Sequence, residues 1–442
     1  MKKRKGGAAA FIAAVTALSL AACASSDTAE TPAATETTAS ETTASETTAA
    51  AELTGTVRVL MEGVPDTDVV TALLPEFNKL YPGVTIEIET AAYDQMRDKY
   101  VASFQAPEST YDLAIIDNPW MDDFADAGFL SPLDDQIANT PDYNYEDIAA
   151  PLRAINEVNA VTYGVPFYNY VLGLIYRTDL LAEAGLPVPT NLDELVSTAQ
   201  ALNTPARAGI AMQPQRGYKI FEEWGNWLFS AGGSIYDENG VPTLDTPEAQ
   251  KALEAYITAY NSAAPADSLN WGFDEALRSV SNNQSAMMIS YNWMLPALNK
   301  QNDISGDLAG KFALAPMPGG KQVLGSWNWA IPANASNPDA AWAFISWITS
   351  PEIEKARVIA GGAPIRISPL SDSAVAEAGF GADYYAAVAE MLANSQPLSQ
   401  GPNGEEMIQA VGTELNSAVA GTKSVADALA EAQKQAVNIQ GL

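Results

Sequence analysis

Asp117 and Trp120 stand three residues apart, just beyond the apolar run Leu113–Ile116. Together they could grip a ring or chain rich in hydroxyls. A carboxylate accepts hydrogen bonds from two hydroxyls, and an indole face covers apolar C–H surface. Asp117 could equally cap the following turn, and Trp120 could pack under the next helix. Glu62 and Tyr93 hold comparable places after two other strand-like runs. Trp293 follows the apolar run Ala286–Ile289 within Ser290-Tyr291-Asn292-Trp293. Trp224 and Trp227 lie three apart on an expected helix, so at least one belongs to the core. One of them, Trp224 ahead of Trp227, is expected to meet a ligand.

Other chemistries are excluded by what is missing. The chain has no histidine, which removes Ser-His triads, Cys-His pairs and histidine-held metals. Its one cysteine, Cys23, stands near the N-terminus, so no internal disulfide can form. Neither a metal nor a cofactor is expected. Among common hydrolases this leaves mainly those using two carboxylates, such as glycosidases. Fifty-four acidic residues against 23 basic ones argue against nucleic acid and anionic lipid as partners. Most of that charge is read as solvated surface.

The elements that must position these residues follow from periodicity. Val57, Val59 and Met61 alternate as a strand. Val70, Leu73, Leu74, Phe77 and Leu80 then recur at helical spacing, with Pro75 expected to kink or break the helix and Tyr81-Pro82-Gly83 to stop it. Val84, Ile86 and Ile88 form a second strand, Met96, Tyr100 and Phe104 mark a helix, and Leu113–Ile116 is a third strand. This β-α-β-α-β order predicts a parallel sheet, whose ligands sit beyond the carboxyl ends of its strands. Those ends are Glu62–Asp66, Thr90–Tyr93 and Asp117–Trp120. Further on, Leu172–Tyr176 is strand-like, and Asn191 with Glu194 predicts a capping box. Thr246-Pro247 and Asn337-Pro338 predict helix starts. Trp342, Ile345 and Ile348 share one helix face and are expected in the core, and the last 75 residues are Ala-rich and helical. Residues 55–442 exceed one hydrophobic core, so two lobes are expected.

The N-terminus reads as an export signal. Lys2, Lys3, Arg4 and Lys5 precede an apolar stretch, Ala8–Ala22, too short to span a bilayer comfortably. It ends Leu20-Ala21-Ala22-Cys23, which resembles a lipobox; residues 1–22 would be the lipoprotein signal peptide, with Cys23 lipidated and anchored to the outer face of the cell membrane. Removing the signal leaves 19 basic against 54 acidic residues, a balance of −35. Residues 23–54 then form a tether of Thr, Ala, Ser and Glu with the repeat Glu-Thr-Thr-Ala-Ser, unable to bury a core. About 30 such residues span roughly 30 Å.

Several stretches in sequence carry a resemblance. They are Phe77-Asn78-Lys79-Leu80-Tyr81-Pro82-Gly83-Val84, Tyr111–Trp120 with Phe124–Gly128, Tyr163–Pro166 with Ile175–Leu181, and Trp327–Pro332 leading to Ala340-Ala341-Trp342. From about residue 55 to 440 the chain resembles the family 1 extracellular solute-binding proteins of ABC importers, with the maltose-binding-protein architecture. The resemblance implies a type II periplasmic-binding fold of two α/β lobes joined by crossing segments. The N-lobe would be 55–166 plus 326–361, and the C-lobe 167–325 plus 362–442. Gly361 and Gly362 lie at one crossing. It further implies ligand contacts at Trp327, beside the second crossing, at Tyr168, after the first, and at Arg366, after the third; Arg366 could otherwise be an interlobe salt bridge. Trp329 is expected to be packed. The implied function is capture of a carbohydrate, polyol or small oligosaccharide and delivery to the permease membrane subunits, by a monomer without catalysis. A sensor docking on a receptor and a two-carboxylate glycosidase remain the alternatives.

Overall fold

Gly55–Glu62 begins the first sheet because its alternating Val57, Val59 and Met61 bury completely. The computed structural model describes residues 53–299 and 304–442; the expected signal peptide, the expected lipidation at Cys23 and all but the last two residues of the expected tether lie outside them. In chain order, the elements that matter for the site are β1 (Gly55–Glu62), α1 (Pro65–Leu80), β2 (Val84–Ala91), α2 (Tyr93–Phe104), β3 (Leu113–Asp117), β4 (Val165–Asn169), β5 (Leu172–Arg177), β6 (Ala208–Ala211), α3 (Tyr218–Ser230), β7 (Ser285–Tyr291), β8 (Phe312–Ala315), β9 (Ser326–Ala330), α4 (Pro338–Ile348), α5 (Pro351–Ala360) and α6 (Gly404–Val419).

Two sheets organise the molecule. The first runs β2-β1-β3-β9-β4, with β1 parallel to β2 and β3, and β9 antiparallel to both β3 and β4. The second runs β8-β5-β7-β6, antiparallel except for the β6–β7 pair. Strand β9 returns to the first sheet after the chain has built the second, and β4 leads directly into β5. The chain therefore passes between the sheets more than once, and the fold is the two-lobe α/β arrangement.

Local chemistry explains most boundaries. Asn191 accepts a hydrogen bond from the Glu194 N–H at 2.9 Å, while the Glu194 carboxylate accepts from the Thr190 N–H at 2.8 Å. Thr246 caps the helix from Pro247 by accepting from Ala249 N–H. Asn337 does not cap: its amide donates to the Thr56 carbonyl at 3.0 Å, and Pro338 alone sets the start of α4. Helix α1 runs through Pro75 instead of breaking there. Pro75 and Thr71, four residues back, both face solvent, so water can take the freed carbonyl. Leu80, expected on the apolar stripe, is 64% exposed at the helix end, whereas Val70 and Phe77 are buried. On α4, Ile345 and Ile348 are buried, but Trp342 is half-buried and donates its indole N–H to Thr140 Oγ1 at 2.9 Å. Trp329 packs between Phe167 and Phe344, at 4.5 and 5.6 Å between ring centroids.

Candidate functional site

Strand register brings the first residues together. Asp117, the last residue of β3, pairs with Trp327 on β9, and Trp327 pairs with Tyr168 on β4. The three stand in one row across the sheet, and Glu62 ends β1 on the same sheet. Trp120 follows in the short turn Asn118–Trp120, which Asp117 caps by accepting from the Asn118 N–H at 2.9 Å. Tyr93 opens α2 beyond the end of β2. Its ring lies 5.3 Å from Trp120 and 5.9 Å from Trp327, and the two indoles meet edge-on at 5.4 Å.

Asp117 is the centre of this group. Tyr170 donates to one carboxylate oxygen at 2.8 Å. The Tyr93 hydroxyl lies 3.0 Å from the other and 3.2 Å from a Glu405 oxygen, so its single proton serves one acid at a time. Burial pushes the Asp117 carboxyl up to about 8, against the lowering hydrogen bond from Tyr170. Glu62 is likewise raised by burial, with Lys219 opposing. A buried acid whose partners are phenolic hydroxyls is held by groups that a polyhydroxylated ligand can replace one for one.

The opposite wall comes from the second sheet and its helices. Tyr218 and Lys219 open α3, and the Tyr218 ring lies 6.1 Å from Tyr93. Lys219 donates to Tyr291 at 2.5 Å and to Glu222 at 3.1 Å, with its ammonium 5.2 and 5.3 Å from the centres of Tyr218 and Tyr291. Burial alone would lower the Lys219 pKa, but Glu222 and Tyr291 raise it overall, so it stays charged. Tyr291 stacks on Trp293 at 5.2 Å and meets Tyr170 edge-on at 6.1 Å, which joins the two walls. Gly325 is required at this junction. A Cβ there would lie 1.9 Å from the Tyr170 ring, displacing the hydroxyl that holds Asp117.

Of the residues expected to contact ligand, Asp117, Trp120, Trp327, Tyr168, Glu62 and Tyr93 therefore gather at one place, with Trp293 on the adjoining wall. Two do not join them. Arg366 is fully buried, and each of its three nitrogens is engaged: Nε with the Thr349 carbonyl at 2.8 Å, Nη1 with Asn144 at 2.7 Å and Nη2 with Tyr143 at 2.9 Å. Asp147 lies 3.6 Å away. The guanidinium thus ties stretches of backbone together and is shut away from solvent. Trp224 and Trp227 are both fully buried on α3, and neither ring packs on a ring of the cluster; Trp227 meets Tyr256 instead. Tyr170, Tyr218, Lys219, Glu222, Tyr291 and Glu405 were not foreseen. Tyr291 stood inside the quoted Ser290–Trp293 segment, and Tyr218-Lys219 begins the helix of Trp224, but nothing in the sequence pointed to Glu405. Among the described residues, no three acidic, histidine or cysteine side chains converge as a metal site would need.

Two lobes with an aromatic and acidic cluster between their sheets define a hinged solute-binding protein. The chain belongs to the bacterial extracellular solute-binding protein family, whose model matches residues 64–355. A mannitol-binding protein of Pseudomonas aeruginosa is 26% identical over 381 residues, covering 81% of this chain and 87% of the relative. A probable amino-acid ABC transporter periplasmic-binding protein of Sinorhizobium fredii is 25% identical, covering 66% and 68%. Other curated relatives are spanned over about half their length. Among solved structures, a solute-binding protein of Agrobacterium radiobacter in complex with ribitol aligns with a TM-score of 0.76 at 27% identity, over 88% of this chain and 99% of that one. No helix among the described residues is long and apolar enough to cross a membrane.

Proposed function

We propose that this protein captures a sugar, sugar alcohol or small oligosaccharide outside the cell membrane and hands it to the membrane subunits of an ABC importer. The observation that carries the reading is the Asp117 cluster: a buried carboxylate held by tyrosine hydroxyls and walled by Trp120, Trp327 and Tyr168. Aromatic faces suit C–H surfaces, and exchangeable hydroxyl partners suit a polyol. The mannitol- and ribitol-binding relatives support the same ligand class. An amino acid, suggested by the name of the Sinorhizobium relative, would bring a carboxylate, and the nearby cation Lys219 is already paired with Glu222. The lobes divide as 55–166 plus 326–361 and 167–325 plus 362–442, with ligand drawing them together. Lipid on Cys23 anchors the chain through its tether, and the protein acts as a monomer without turning its ligand over.

The test is a melting screen of hexitols, pentitols, disaccharides and trisaccharides. A ligand with a dissociation constant of about 1 μM binds with about −8 kcal/mol. At a hundredfold excess it stabilises the fold by about 2.7 kcal/mol, a readable rise in melting temperature. At least one compound should raise it and be recovered unchanged. Recovery as a product, or no response to any polyhydroxylated compound, refutes the proposal. Fatty-acid labelling that marks wild type but not Cys23→Ser tests the anchor.

A further inference from the structure

The charges around the cluster are unbalanced. Asp117 and Glu405 share the Tyr93 hydroxyl, Glu62 ends β1 on the same sheet as Asp117, and Glu222 accepts from Lys219 and Tyr291. Three glutamates and the buried Asp117 carboxyl thus face one ammonium, and that ammonium is committed to Glu222 at 3.1 Å. The other buried cations nearby are committed elsewhere. Arg357 is paired with Glu354 and Asp66, and Arg366 with backbone carbonyls. Trp120, 1% exposed within the ring cluster, keeps an indole N–H with no partner among the described residues, so the group has an unfilled donor for a ligand oxygen.

Resting on the proposed function, we infer that the cleft selects against charge as well as for hydroxyls: it takes a neutral polyhydroxylated solute and rejects the same skeleton carrying a carboxylate or phosphate. A ligand anion would find indole and phenol donors, but among the described residues the buried cations Lys219, Arg357 and Arg366 are already engaged. It would stand near Glu62 and Glu405, where solvent screening is weak, and it would oppose ionisation of the buried Asp117 carboxyl, which burial already keeps protonated. A neutral polyol incurs no such repulsion, because its hydroxyls replace those of Tyr93 and Tyr170 at Asp117. Lys219 is the residue that sets the limit. With Glu222 it forms a neutral pair and has no charge to spare for a ligand.

Calorimetric titration of isosteric pairs tests this directly: D-mannitol against D-mannonate, ribitol against ribonate, and maltose against maltobionate, at neutral pH and low salt. Whichever neutral member binds should do so at least about tenfold more tightly than its acid, and E62Q should narrow that gap by weakening the repulsion. An acid bound within twofold of its neutral partner, while that partner binds well, overturns the inference and leaves the carbohydrate reading standing. A gap of unchanged size in E62Q also overturns it. If no member of any pair binds but another class of solute does, the carbohydrate reading itself fails, and this inference falls with it.

Discussion

Asp117 and Arg366 are both fully buried ionisable groups close to where the chain passes between the two sheets, yet they are held in opposite ways. Arg366 bonds only to rigid acceptors, the carbonyls of Tyr143, Asn144 and Thr349. Beside it, Glu354 accepts from the Ile365 N–H at 2.7 Å and from Arg357 at 2.6 Å, and Arg357 reaches Asp66 at 3.1 Å. Every partner in that network is backbone or a permanent countercharge. Asp117, in contrast, has one backbone donor and two tyrosine hydroxyls from different parts of the chain. A buried charge therefore says little about function until its partners are known. Partners that a solute can mimic mark a site; partners that cannot leave mark a joint.

The sharpest way to break that distinction is to remove each charge in turn. Arg366→Ala leaves the buried carbonyls of Thr349 and Tyr143 and the part-buried one of Asn144 without donors, and should cost about 3–5 kcal/mol of stability, read by chemical denaturation. Its folded fraction should keep a dissociation constant within a few-fold of wild type. A large affinity loss with unchanged stability would return Arg366 to the binding site. Trp327→Ala should do the reverse. It should weaken binding by about 1–3 kcal/mol, a five- to two-hundredfold rise in dissociation constant by titration. Trp224→Ala, by comparison, should act on stability, as a fully buried indole does.

Smaller effects sharpen the account of Asp117. Tyr170→Phe removes one of its hydroxyl donors and should change affinity by about 1 kcal/mol or less, since ligand replaces that donor in the complex. Gly325→Ala should resemble it or exceed it, because the added methyl displaces the whole Tyr170 ring. A separate signal is in the pH dependence of the ligand-free protein. Burial lifts Asp117 from 3.8 to about 8, so the unfolded chain releases this proton first as pH rises. The carboxyl therefore destabilises the empty fold progressively between about pH 4 and pH 8. Asp117→Asn should gain melting temperature relative to wild type across that window, with no gain below pH 4. It should also bind ligand less well.

How far the sequence reached depended on whether a residue's position follows from local pattern. The row Asp117, Trp327 and Tyr168 includes a strand end that the apolar run Leu113–Ile116 reveals, and its other two members came from the family resemblance. Periodicity also located β1, β2 and β3 and the parallel order that puts Glu62, Tyr93 and Asp117 at one edge. It could not tell which end of Arg366's environment would be backbone, because Tyr143, Asn144 and Thr349 are more than 200 or fewer than 20 residues away with no shared pattern. Glu405 was invisible for the same reason: it meets Tyr93 across 312 positions. Tyr170 and Tyr218 looked like ordinary aromatic residues, and only tertiary packing gives their hydroxyls a carboxylate to hold. Pro75 shows the converse, a strong local signal overruled because its helix face is wet.

The most direct measurement is a crystal structure with whichever polyhydroxylated solute raises the melting temperature. Ligand hydroxyls should lie on both Asp117 oxygens in place of Tyr93 and Tyr170, with a ligand C–H face against Trp120 or Trp327 and Arg366 still bound to its three carbonyls. A solute seated elsewhere, with Tyr93 and Tyr170 still donating to Asp117, would contradict this assignment of the site.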